Sequence, residues 1–199
     1  MNRTNATRDF YNEHAEKWAA EKNDSSYHEA EFRKFHDLLK EGNIVLDIGC
    51  ASGIHVPLFL GIGEDLRYEG LDISETFLRL AKSRYPQLAF FEGDVLDETT
   101  LPDKKYDAFW AAAVLMHISK EDWPEMMENI ENIMQPGAVG YLTVPTERYI
   151  ERDERHFTVF EEKEFKALLG KRNWEILQRG KKEPTRSTAW SWFIVKLPV

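Results

Sequence analysis

The chain has 199 residues, enough to bury one sizeable core and hardly two, and 42% of them are apolar. Charged residues make up 31% and no apolar run reaches bilayer length, which argues against a membrane protein, and a net charge of −9 disfavours general binding to phosphate backbones. The lone cysteine, Cys50, excludes an internal disulfide framework, and the first residues lack the apolar stretch of a secretion signal, so a cytoplasmic protein is expected.

The elements alternate along most of the chain. Arg8 to roughly Lys40 reads as two helices, the first with an apolar stripe at Phe10, Tyr11, Ala15 and Trp18, the second with Phe32, Phe35, Leu38 and Leu39. Asp24, Ser25 and Ser26 separate them. Ile44 to Ile48 follows as a buried strand, and a glycine-containing turn leads to a helix near Pro57 to Gly61. Tyr68 to Asp72 is a second strand, and Glu75 to Arg84 a helix that Ser74 can cap. Strands are expected at Leu88–Phe91, Tyr106–Ala111 and Ala138–Val144, with an amphipathic helix at Lys120–Met134. A helix from Glu161 to Leu169 is announced by Thr158-x-x-Glu161, a possible capping box, and two strands close the chain near Trp174–Arg179 and Ala189–Lys196. The one basic stretch, Arg179 to Arg186, reads as a nucleic-acid patch or, more plainly, as a solvated turn. This alternation predicts an α/β fold. The expected architecture is a single doubly wound, mostly parallel seven-stranded sheet with helices on both faces. No repeat or linker divides residues 1–199: residues 1–40 supply helices before the core, 41–144 the βαβ core, and 145–199 a loop, a helix and the closing strands.

In such sheets ligands bind beyond the carboxyl ends of the strands, so the residues that follow each strand are the candidates. After the first strand, Asp47-Ile48-Gly49-Cys50-Ala51-Ser52-Gly53 offers glycines for a tight turn and close backbone approach. Its spacing is G-x-x-x-G rather than G-x-G-x-x-G. An acid two residues before the first glycine suits a ligand with ammonium and sulfonium charges better than a pyrophosphate. Asp72 closes the second strand 19 residues after Gly53, near the spacing at which a carboxylate reaches both hydroxyls of a ribose, although a helix cap is the plainer role. Asp94 and the N–H of Val95, after the third strand, can together read an adenine edge or simply form a common turn. After the fourth strand, Ala111, Ala112 and Ala113 leave room for a ligand. His117 then falls either where a substrate sits or in the core.

Taken together, VLDIGCASG, GLDIS, FEGDV, YDAFWAAAVLMHI and MQPGAVGYLTV resemble, in order from residue 44 to 144, the class I, Rossmann-like S-adenosylmethionine-dependent methyltransferases. YNEHAEKWA resembles the N-terminal helix that lids the site in many of the small-molecule members. The resemblance implies an antiparallel C-terminal strand closing the sheet, S-adenosyl-L-methionine as cofactor and no metal. Asp47, Gly49 and Gly53 would surround its methionine part, Asp72 would hold the ribose, and Ile73 would pack on adenine. Asp94 and Val95 would read the adenine edge, and Ala112 would line the cofactor near the methyl group. Cys50-Ala51-Ser52 departs from the usual glycine or threonine at a place where contacts are mostly backbone.

Methyl transfer is an in-line displacement aided mainly by positioning. Tyr11 and Trp18 can face the sulfonium or pack the helix, and His117 has the intrinsic pKa range of a general base. The chain lacks the Asn/Asp-Pro-Pro-aromatic motif of enzymes that methylate exocyclic or amide nitrogens, and Cys50 is not placed to attack a pyrimidine. The resemblance and the acidic surface favour a small-molecule acceptor, with nucleic acid and membrane disfavoured as partners. Arg148, Arg152, Arg155 and His156 follow the fifth strand, where they would bind an anionic acceptor or lie in a solvated loop. Three alternatives stand beside this reading: a non-catalytic cofactor-binding or regulatory module, a nicotinamide-dependent oxidoreductase, and an aminopropyl transferase. The acceptor's identity and the oligomeric state have no signal in the sequence.

Overall fold

In the computed structural model, residues 3–21, 24–148, 157–182 and 188–199 are described. One seven-stranded sheet has the order β3-β2-β1-β4-β5-β7-β6. The first five strands are β1 (Ile44–Ile48), β2 (Arg67–Asp72), β3 (Ala89–Glu92), β4 (Tyr106–Ala111) and β5 (Met134–Arg148). They run parallel, with β1 at the centre between β2 and β4. β7 (Thr188–Lys196) is antiparallel to β5 on one side and to β6 (Glu175–Lys182) on the other. The strand order reverses at β1/β4, the switch point where such sheets open a crevice.

Strand alternation sends β1 side chains to two cores. Leu46 and Ile48 join Phe109, Trp123, Met126, Ile130, Phe165 and Leu169 on the face covered by α5 (Trp123–Asn132) and α6 (Glu162–Lys171). Val45 faces the other way, into Phe32, Phe35, Phe59, Leu78, Trp110 and Tyr141, under α2 (Glu29–His36), α3 (Val56–Gly61) and α4 (Glu75–Arg84). Each such fully buried side chain contributes about 1.5–3 kcal/mol. Trp110 and Tyr141 stack with ring centroids 3.8 Å apart, an arrangement that adds about 0.5–1.5 kcal/mol. The long helix α1 (Arg3–Glu21) packs Ala15 and Ala19 against Phe77 of α4 and Ala51 of the loop after β1.

Several local expectations are corrected. The helix expected from Lys120 begins at Trp123, with Pro124 in its first turn, and Met134 opens β5 instead of ending that helix. Leu38 is 39% exposed and lies beyond the end of α2, outside the stripe that Phe32 and Phe35 bury. Thr158 and Glu161 form no capping box. Glu161 occupies the cap position without a side-chain bond, while the Thr158 hydroxyl donates to the carbonyl of Ile118 at 2.6 Å. Ser74 does cap α4, accepting from Phe77 N–H at 3.2 Å. Arg179 to Lys182 belong to β6, not to a solvated turn.

Candidate functional site

A cavity of about 660 Å³ opens at the carboxyl ends of β1, β2 and β4, beneath α1. Its floor begins where β1 ends. Gly49 has φ +72°, and a side chain there would overlap Val114. Its N–H and that of Cys50 both donate to the carbonyl of Leu71, at 2.7 and 3.1 Å, which folds the loop onto the end of β2. Ala51 is also left-handed, with φ 48°, and donates its N–H to Asp72 Oδ2 at 2.8 Å. The other oxygen, Oδ1, accepts from Ser74 N–H at 2.9 Å. Asp72 therefore ties the loops after β1 and β2 together, as carboxylate to two amides. Burial raises its pKa to about 6, against the pull of the amide hydrogen bonds. Among the described residues it has no cation partner. Its remaining lone pairs suit neutral donors such as the two hydroxyls of a ribose.

The third wall follows β3. Gly93 and Val95 line the cavity. Asp94 is half-buried, accepts from Leu96 N–H at 2.9 Å, and is raised by burial, with the charge of Arg8 opposing. The exit of β4 is held by Thr143 of β5, whose hydroxyl accepts from Ala113 N–H at 2.8 Å. That contact fixes Ala113 at φ 54° and opens a single helical turn, Leu115–His117. His117 Nε2 lies 2.9 Å from the Tyr11 hydroxyl, and its ring meets Phe157 edge-on at 4.9 Å. The first helix is thereby joined to the exit of β4. It is also tied at α4, because Ser74 Oγ donates to Asn12 Oδ1 at 2.7 Å.

Of the residues singled out from sequence, Tyr11, Trp18, Gly49, Asp72, Ile73, Val95, Ala112 and His117 line this one cavity. Asp47, Gly53 and Asp94 do not. Asp47 is fully buried beside Tyr68, whose hydroxyl donates to Oδ2 at 3.0 Å. Gly53 turns the loop at φ +78° against Tyr85. Arg152, Arg155 and His156 lie outside the described residues, as does the side chain of Arg148.

Sequence reasoning missed the far lobe, formed by Tyr27, His28, His55, Lys182, Thr188 and Trp190. Lys182 and Trp190 are opposite partners in the β6–β7 register, a pairing that no local pattern reveals. Lys182 is buried, and its ammonium donates to the Tyr27 carbonyl and to Glu31, each at 2.6 Å. Burial, with His55 and Lys182 nearby, pushes His28 down to about 2, so its ring is neutral. Thr7 was also missed. It is 4% exposed, lines the cavity, and its hydroxyl has no hydrogen-bond partner. One turn before Tyr11 on the same helical face, it was detectable from spacing. Among the described residues, no cluster of His, Cys, Asp and Glu is arranged to hold a metal, and no helix is long and apolar enough to cross a membrane.

Residues 45–137 match the family model described as a methyltransferase domain. Trans-aconitate 2-methyltransferase of Methylobacterium radiotolerans is 29% identical over 107 residues, covering 54% of this chain and 40% of that protein. The tRNA (carboxymethyluridine(34)-5-O)-methyltransferase of Arabidopsis thaliana is 27% identical over 113 residues, covering 55% of this chain and 26% of that one. The matched region thus spans well under half the length of these curated relatives. The structure of magnesium protoporphyrin IX methyltransferase from Synechocystis PCC 6803 with bound SAH superposes with a TM-score of 0.77. The match covers 98% of this chain and 100% of that one at 17% identity, which is a likeness of fold.

Proposed function

We propose that the chain, which matches a methyltransferase domain over residues 45–137, is an S-adenosylmethionine-dependent methyltransferase that methylates a small-molecule acceptor in the cavity beneath α1. The observation that carries the proposal is one continuous cavity whose wall passes from Val95 and Asp72 through Gly49 to Ala112 and His117. The residues fit the cofactor. Asp72 is a desolvated carboxylate with no cation partner among the described residues, suited to a diol, and Gly49 leaves bare backbone on the cavity wall where a Cβ would collide with Val114. Bound there, S-adenosylmethionine would supply an electrophilic methyl group on a sulfonium.

In this reading Asp72 holds the ribose, Val95 and Ile73 enclose the adenine, and Ala112 lets the methyl end approach the exit of β4. Tyr11 and Trp18 close the cavity from α1 and exclude water from the reacting atoms. His117, hydrogen-bonded to Tyr11, stands where an acceptor proton would leave. A small molecule suits a site roofed by a helix, and the net charge of −9 disfavours a polyanion. Among the relatives, one is named for trans-aconitate and another for a tRNA uridine, so the test includes both classes.

Calorimetry with S-adenosylmethionine and its demethylated product tests the donor site. Asp72→Ala should lose about 1.5–3 kcal/mol of affinity, and unchanged affinity would sink the ribose assignment. Transfer of label from methyl-labelled cofactor to extract metabolites tests the acceptor. Label that appears only in RNA, DNA or protein would overturn the small-molecule reading.

A further inference from the structure

The buried acid of the first motif does not reach the cavity, but a histidine beside it does. Asp47 is fully buried and is absent from the cavity wall, whereas His55, 4% exposed, is part of that wall. His55 Nδ1 lies 3.4 Å from Asp47 Oδ2, a few tenths of an ångström beyond ordinary hydrogen-bond length. Nδ1 and Asp47 Oδ1 are both closed to solvent and both lack a hydrogen-bond partner. Two neighbouring unsatisfied atoms are costly, and a small shift of the ring would let Nδ1–H donate to the carboxylate.

The sheet order indicates which part of a ligand His55 meets. Across β3, β2 and β1 the cavity presents Val95, then Asp72, then Gly49 and Ala51. With the adenine and ribose assigned to the first two, the remaining end of the donor extends past β1 toward β4. His55 is there, with its ring 5.8 Å from Trp110 of β4 and 5.3 Å from His28.

We propose that His55, oriented by Asp47, binds the amino-acid end of the methyl donor, and that Asp47 acts through His55 rather than by direct contact. This rests on the donor-site reading above. With Nδ1–H directed to Asp47, Nε2 keeps its lone pair and accepts from the donor's ammonium group. The negative charge behind the ring favours that cation. Asp47 is thus a positioning residue, and His55 a binding residue.

The test compares two thioethers by calorimetry: S-adenosylhomocysteine, which has the amino-acid end, and 5′-methylthioadenosine, which lacks it. His55→Phe keeps a ring against Trp110 and removes both nitrogens. It should weaken S-adenosylhomocysteine about 10- to 100-fold and leave 5′-methylthioadenosine within about threefold. Asp47→Asn should show the same selectivity with a smaller loss, and His55→Gln, which restores a polar atom near Nε2, should recover part of the affinity. Equal loss of both ligands in His55→Phe would show a structural role and overturn the inference. So would selective loss in Asp47→Asn without loss in His55→Phe, the signature of direct contact by the acid. A wild-type chain that binds neither ligand would fail at the earlier step, the donor site itself.

Discussion

In the proposed reading, Asp72 serves both the fold and a ligand. It accepts from the amides of Ala51 and Ser74, so its replacement disturbs two loops as well as any ribose contact. Its pKa, raised by burial from 3.8 to about 6, sets the sign of a pH effect. Between those two values the folded chain keeps a proton that the unfolded chain has released. The stability this provides is fully present below pH 3.8 and is lost as pH rises to about 6, a change on the order of 3 kcal/mol at most. Urea denaturation from pH 4 to 6.5 should therefore show a falling slope that Asp72→Asn flattens. Donor affinity should move the opposite way, strengthening as pH rises through 6, because the ionised carboxylate is the better acceptor. Gly49 supplies a second residue-scale test. Gly49→Ala strains a backbone at φ +72° and pushes a methyl group into Val114, so ligand affinity should fall at least tenfold while the far-UV spectrum is retained.

At the scale of elements, α1 is anchored unevenly. Ala15 and Ala19 are buried near its end, Asn12 is bound to Ser74, and Tyr11 reaches His117, while Thr7 keeps an unsatisfied hydroxyl. Hydrogen exchange should show the segment before Tyr11 opening most easily, with protection rising on donor binding. Equal protection with and without donor would make the helix plain core. Tyr11→Phe removes the bond to His117 at a cost of about 0.5–1.5 kcal/mol in stability. If that pair orients His117 for catalysis, kcat should fall while donor affinity holds; a purely structural pair would change the melting temperature alone. On the other side of the sheet, Gly140 of β5 lies flush against Phe109, whose ring occupies the space of a Cβ. Gly140→Ala should destabilise the chain by about 1–3 kcal/mol through overpacking, measurable as a shift in the urea midpoint.

For the molecule as a whole, periodicity exposed what is local. The boundaries of β1, α4 and β4 were legible because Ile44–Ile48, Glu75–Arg84 and Tyr106–Ala111 are short, strongly patterned and bounded by glycine, serine or alanine. Part of the cavity wall was legible for the same reason, since Gly49 and Ala112 directly follow a strand, Asp72 closes one, and Val95 comes three residues after one. The far lobe was not. His28, His55, Lys182 and Trp190 come from four separate stretches of chain, and sheet order with antiparallel register alone brings them together. Asp47 was legible as an acid shortly before the first glycine, but its burial behind His55 depends on the side chain of Tyr68 in the neighbouring strand. The basic stretch misled because Lys182 turns inward to Glu31 and Tyr27. A corresponding prediction follows for partners: duplex or structured RNA should bind only weakly at physiological salt, and a Kd below a micromolar would contradict the charge argument.

The place of β7 in the sheet has a consequence for the order of assembly. It is the last strand, yet it is interior, paired with β5 over Val139–Arg148 and with β6 over Glu175–Lys182. A nascent chain that has released β1 to β5 can form its parallel crossovers but leaves one long flank of β5 unpaired until residue 188 and beyond emerge. During that interval Leu142 and Val144 lack the Phe193 and Val195 that share their core. The exposed flank is a template for pairing with other chains, so this stage is where aggregation is most to be expected. β6 cannot substitute, because it reaches the sheet only through β7. Docking of the β6–β7 hairpin should therefore be the late step of refolding. Trp192 on β7 and Trp174 just before β6 should report it as a fluorescence phase slower than the recovery of helical signal, and Phe193→Ala should accelerate unfolding more than it slows folding.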